Sequence, residues 1–156
     1  MEGYKKILMP HDGSEMSDKA LKHAAYIAKV SGAELVILNV IETEVMPPSF
    51  TLAFLEPGGS LDQAREKLRN RMEGGIKQML EQRVQRCKEI AGKETKISYT
   101  VSAGKPVDEI TKAAEEGNYD MLIMGSSRIT SHVRLLGSTV RKVLDSVRKP
   151  ILVIHE

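Results

Sequence analysis

Two short segments hold the residue types that could do chemistry. Pro10-His11-Asp12-Gly13-Ser14 follows the apolar run Ile7-Leu8-Met9, and MGSSRITSHVRLLGST spans residues 124–139 after a second such run. An ionised carboxylate only accepts hydrogen bonds, so Asp12 suits a ribose hydroxyl or an adenine amino group. Gly137-Ser138-Thr139 opens a helical pattern, where free backbone N–H groups and the positive helix end suit a phosphate chain. Gly125 lets the backbone approach a ligand with no side chain between them. Ser126, Ser127 and Thr130 add hydroxyls, and the Arg128 guanidinium either binds a phosphate or fills part of its space. Each feature also has an ordinary structural reading: Gly125 as a turn, Gly-Ser-Thr and Asp-Gly-Ser as turns with helix caps. Their convergence on one crevice favours a phosphate-bearing ligand.

Other chemistries find little support. Cys87 is the only cysteine, so no intrachain disulfide forms, and its core-like position reads as inert. His11, His23, His132 and His155 are scattered, with no metal-ligand spacing, so any metal is expected to come with the ligand. His11 beside Asp12 could exchange protons, but at a strand end it reads as a structural or edge histidine. No nucleophile–base–acid spacing stands out. Slow hydrolysis of a bound triphosphate needs only positioning and charge, so the expectation is a binding protein and not a fast enzyme. Residues 125–149 carry six cations against Asp145 alone, a local +5 that leaves −3 for the rest of a chain of net charge +2. Such a field attracts phosphate. With 4% aromatics and none in that segment, stacking on nucleic-acid bases is not expected.

The elements that must position these residues follow from periodicity. The chain has 156 residues, 41% hydrophobic and 28% charged, which fits one globular domain over 1–156. Ile7-Leu8-Met9, stopped by Pro10, reads as a strand. Ala20, Leu21, Ala24, Ile27 and Ala28 share one face of a helix capped by Ser14 or Ser17 and ended by Gly32. ELVILNVI is a doubly buried strand. Leu61, Ala64, Leu68, Met72, Ile76, Met79, Leu80, Cys87 and Ile90 mark a long amphipathic helix over 61–91, with a kink allowed at Gly74-Gly75. Lys96–Val101 alternates as a strand, and Pro106 opens a helix that Gly117 ends. YDMLIMG is a buried strand, Val140, Val143, Leu144 and Val147 lie at helical spacing, and ILVI closes the chain.

Alternating strands and helices make an α/β fold: an open five-stranded parallel, Rossmann-like sheet with helices on both faces. Ligands then sit beyond the carboxyl ends of the strands where the order reverses; for five strands with the first and fourth at the centre, that point lies between those two. Residues 42–60 are the exception. Pro47-Pro48 and Pro57-Gly58-Gly59 are read as forbidding regular structure, while Phe50, Leu52, Phe54 and Leu55 suggest a flap near the ligand or a dimer contact. No apolar run reaches the roughly 18 residues of a membrane span, and MEGYKKILMP has no secretory apolar stretch, so the expected location is cytoplasmic.

The segments YKKILMPHDGSEMSDKALKHA, ELVILNVIE, VSAGKPVDEITKAAEEGNYDMLIMGS and LLGSTVRKVLDSVRKPILVI together resemble the universal stress proteins. The resemblance covers the whole chain except the 42–60 loop and the helix after it. It implies strand order 3-2-1-4-5, a homodimer, and membership in a family divided into ATP-binding and non-binding members. It implies that Pro10, His11 and Asp12 edge the adenosine and that Val40 packs on adenine. Met124 and Gly125 would line the ribose, and Gly137, Ser138 and Thr139 would meet the phosphates, with Mg²⁺ or Mn²⁺ if the ligand is a triphosphate. The family's ATP pattern is G-x2-G-x9-G-[S/T]. Here Gly125 and Gly137-Ser138 match, Arg128 stands at the middle glycine, and the loop to Gly137 is one residue short.

Rival readings fail on specific residues. A receiver domain needs an aspartate where the third strand ends in Val101-Ser102-Ala103-Gly104. Gly104-Lys105-Pro106 is only a fragment of a P-loop, and Gly13 alone cannot supply G-x-G-x-x-G. The relative ATP pyrophosphatases need a Ser-Gly-Gly loop that is absent. The expectation is thus an ATP-binding stress or signalling module, the alternative a dimeric interaction protein of the same fold without nucleotide. Both would pair through the open edge formed by Ile151, Leu152, Val153 and Ile154.

Overall fold

A computed structural model describes residues 3–42, 47–126 and 136–155. Five parallel strands form one sheet in the order β3-β2-β1-β4-β5: β1 (Lys6–Pro10), β2 (Glu34–Ile41), β3 (Ile97–Ala103), β4 (Met121–Gly125) and β5 (Ile151–Ile154). β1 pairs with β2 along its full length and with β4 at Ile7–Met121 and Leu8–Leu122. The order therefore reverses between β1 and β4, as expected, and the residues after those two strands share one edge.

Alternation along the strands sorts the core into two layers. Ile7, Met9, Leu35, Ile37 and Ile123 pack with α1 (Glu15–Ser31) and with Leu80, Val84, Cys87 and Ala91 of α3 (Leu61–Ala91). Leu8, Val36, Leu38, Leu122 and Met124 pack with Ile110 and Ala114 of α4 (Pro106–Glu116) and with Val140 and Val143 of α5 (Ser138–Ser146). Each fully buried aliphatic side chain contributes about 1.5–3 kcal/mol relative to exposure.

Local chemistry sets the boundaries. Ser14 caps α1 by accepting from the Ser17 amide at 3.1 Å. Gly32 ends the helix in the left-handed region, at φ 70°. Pro106 occupies the first turn of α4, where its missing N–H costs nothing.

Three expectations need correction. Pro47-Pro48 does not exclude regular structure: Pro48–Leu52 forms a short helix, α2, because proline fits a first turn. Residues 43–46 lie outside the described residues. Ser60 and Gln63 then build a reciprocal capping box that starts α3. The helix α3 runs unbroken through Gly74-Gly75. It does not bury Leu61, Met72 and Ile90, which are 50%, 37% and 37% exposed, and Leu144 of α5 is 38% exposed. The cause for Leu61 and Met72 is length. At about 1.5 Å per residue α3 spans about 46 Å, whereas its sheet-covering part from Ile76 to Ala91 needs only about 24 Å. The first half meets α2 instead of the sheet.

Candidate functional site

The turn after β1 is fixed from several sides. The His11 amide donates to the Leu38 carbonyl at 2.8 Å, and Asn39 Nδ2 donates to the His11 carbonyl at 2.8 Å. The His11 ring is buried, 2% exposed. Its Nδ1 accepts from the Gly13 amide at 3.1 Å, so the ring proton sits on Nε2 and is donated to Asp18 Oδ1 at 2.9 Å. Arg83 of α3 closes on the same carboxylate in a bidentate pair, Nε to Oδ1 at 2.6 Å and Nη2 to Oδ2 at 3.0 Å. Burial pushes the His11 pKa below its ordinary value although Asp18 opposes it. Burial acts upward on Asp18, but the hydrogen bonds from Arg83 and His11 outweigh it and hold the carboxyl low. His11 is thus a structural histidine, spliced between two elements.

Asp12 is engaged as well. Its Oδ1 accepts from Ser17 Oγ at 2.7 Å and from the Ser14 amide at 2.9 Å. Burial acts upward on its pKa, and the bonds from Ser14 and Ser17 more than reverse this. Gly13, at φ 84°, supplies the left-handed turn between Asp12 and the start of α1.

Gly125 has a packing reason within the fold itself. A Cβ there would stand 2.8 Å from the Met16 carbonyl oxygen and 3.3 Å from the Ser17 amide nitrogen. The glycine admits the first turn of α1 against the end of β4, whatever a ligand needs. Ser126 is buried, and its Oγ accepts the Gly137 amide at 3.2 Å, tying the end of β4 to the start of α5. The predicted site residues Ser127 and Arg128 lie outside the described residues, as do Thr130 and Arg134. The cap residue Gly137 offers no side chain, so the amides of Ser138, Thr139 and Val140, which have no intrahelical acceptor, receive no side-chain cap from it among the described residues.

Between these segments opens a crevice of about 900 Å³ at the carboxyl ends of β1, β2 and β4. Pro10, His11, Asp12, Val40, Met124, Gly125 and Thr139 line it, so seven of the predicted positions come together. Gly137 and Ser138 are not on its wall; they open α5 next to Thr139. The opposite wall holds Phe50, Phe54, Leu68, Arg71, Met72 and Met79, with Asn39 from β2 beside it; Phe50 and Phe54 belong to the segment expected as a flap near the ligand or a dimer contact, and sequence reasoning missed the others. The apolar residues of the 42–60 segment were one signal for it, and the three- and four-residue spacing of Leu68, Met72, Ile76 and Met79 was another. That stripe looked like core. Among the described residues no group of three His, Cys, Asp or Glu side chains could hold a metal, and no helix is long and apolar enough to cross a membrane.

A family model described as the universal stress protein family matches residues 3–155. The chain belongs to the universal stress protein family. Among curated relatives, universal stress protein MJ0577 of Methanocaldococcus jannaschii is 30% identical over 97% of this chain and 94% of its own. The UspA universal stress protein of Lactobacillus plantarum superposes with a TM-score of 0.76 at 25% identity, covering 97% of this chain and 98% of its own. A universal stress protein solved in complex with cAMP superposes with a TM-score of 0.67 at 24% identity, covering 98% of each chain. For this universal stress protein the family assignment also accounts for the strand order.

Proposed function

We propose that this stress-response protein binds an adenine nucleotide, ATP in the first instance, and signals through occupancy as a cytoplasmic homodimer paired along β5. The observation that carries the reading is the crevice itself. It lies at the point where strand order reverses, with apolar Val40 and Met124 to hold a base and uncapped helix amides at one end to meet phosphate. The cAMP complex of a protein of this fold agrees with an adenine ligand. Where the ligand is a triphosphate, Mg²⁺ or Mn²⁺ would be held by its own oxygens and water, supplying charge neutralisation. Asp12 would keep the turn in shape beside the adenosine, and Ser138, Thr139 and Val140 would present amides to the phosphates.

The test removes one amide and leaves the helix intact. Gly137 already has φ -55° and ψ 149°, and Ser138 is the first helical residue. That extended backbone is the one a following proline demands, and proline suits a first helical position. Ser138→Pro therefore deletes an N–H with little cost to α5, and Ser138→Ala controls for the hydroxyl. Calorimetric titration should show ATP binding weakened about tenfold by Ser138→Pro and adenosine binding unchanged. Equal ATP affinity in all three proteins would remove the phosphate site. One observation favours the alternative, a dimeric interaction protein without nucleotide: Asp12 Oδ1 and the Gly137 amide already have partners within the chain. Absence of both co-purified nucleotide and ATP binding at millimolar ligand would establish it.

A further inference from the structure

The crevice has an apolar side that the nucleotide reading does not use. Its wall toward α2 and α3 carries Phe50, Phe54, Leu68, Met72, Ile76 and Met79. These side chains are apolar and adaptable. Methionine in particular reshapes around unbranched partners. Leu68 to Met79 covers about 16 Å along α3, an elongated shape. One polar feature points at an occupant. Arg71 lies on this wall with an exposed side chain, and among the described residues no ion pair holds it. The acids on the wall do not fill this role: Asp12 is committed to Ser14 and Ser17, and Glu42 is exposed beyond the end of β2.

We infer that the lobe between α2 and α3 is a separate subsite for a single-chain amphiphile with a carboxylate head, a fatty acid in chemical class. Its chain lies along Leu68, Met72, Ile76 and Met79, and its carboxylate pairs with Arg71. A guanidinium recognises a carboxylate through paired N–H donors, and each buried methylene adds affinity, so head and tail contribute separately.

The experiment titrates the full chain with dodecanoate, decanoate and dodecanol below their aggregation concentrations, with and without ATP. Dodecanoate should bind one per chain, about tenfold more tightly than decanoate. Arg71→Gln should weaken dodecanoate about tenfold and leave dodecanol unchanged. Ile76→Trp and, on the rim, Met72→Trp should fill the lobe and abolish both ligands, with thermal melts confirming that each variant folds. Bound ATP should leave dodecanoate affinity unchanged. The inference is overturned by no dodecanoate binding, by equal effects of Arg71→Gln on acid and alcohol, by unaltered binding in both folded tryptophan variants, or by displacement with ATP. A blank ATP titration beside intact dodecanoate binding would sink only the nucleotide reading.

Discussion

Alanine at positions 74 and 75 should make this protein more stable, and the amount can be worked out. Both glycines lie inside α3, neither has a positive φ, and a Cβ added at either meets nothing within 4 Å. No contact is gained or lost, so the effect is that of glycine in a helix interior, about 1 kcal/mol each relative to alanine. Adjacent helix positions do not face one another, so the two increments add to about 2 kcal/mol. For 156 residues the unfolding entropy is on the order of 0.33 kcal/mol/K, which converts this to a rise in Tm of about 6 °C, half of it for either single variant. Thermal unfolding followed by circular dichroism reads the shift, and urea unfolding should show a higher midpoint at constant slope. An unchanged or lowered Tm would refute the reasoning. It would mean that the first half of α3 does not unfold with the core, so that its helicity contributes nothing to global stability.

Three further outcomes are expected. Gly125→Ala drives a methyl group against the Met16 carbonyl and should cost about 2 kcal/mol, read as a Tm lowered by about 6 °C, before any ligand is considered. Acid should destabilise the protein in two windows. The His11 pKa is lowered on folding, so its contribution is complete above about 6.5 and is lost as pH falls through the lower folded value. Asp12 and Asp18 are also lowered, so theirs is present above about 3.8 and lost below it. Urea midpoints measured from about pH 8 to about pH 3 should fall in both windows, and His11→Gln should remove the first. Burial raises the Cys87 pKa to about 12, so a chromogenic disulfide reagent at neutral pH should label it only as fast as the chain unfolds; immediate labelling of the native protein would contradict its buried position.

Much of the fold was legible because local signals agreed with one another. Ser14 and Gly32 marked both ends of α1, Pro106 and Gly117 marked α4, and ELVILNVI could only be a strand covered on both faces. The strand order came from family resemblance, since periodicity does not say which strands are neighbours. What could not be read concerns distance in space. Leu68, Met72, Ile76 and Met79 repeat as a core stripe does, but the same spacing serves the wall of a cavity, and only the length of α3 relative to the sheet separates the two. Asp12 and Gly125 do line the crevice, yet their neighbours in the structure are Ser14, Ser17 and Met16. A sequence shows that a carboxylate or a glycine is required and leaves open which neighbour requires it. Proline read as a breaker misled at Pro48, where it starts a helix.

The wedge of α1 against Gly125 has a wider consequence. Because Met16 leaves no room at the end of β4, and Asp18 is clamped by both His11 and Arg83, the floor beneath any ligand is held by bonds that also hold the fold together. Phe50 and Met72, by contrast, are partly exposed and belong to no core layer. Substitutions there can remodel what the chain accepts while its folding free energy stays nearly constant. Descendants of one ancestor could therefore diverge in ligand on this side of the cleft without first acquiring compensating stability elsewhere.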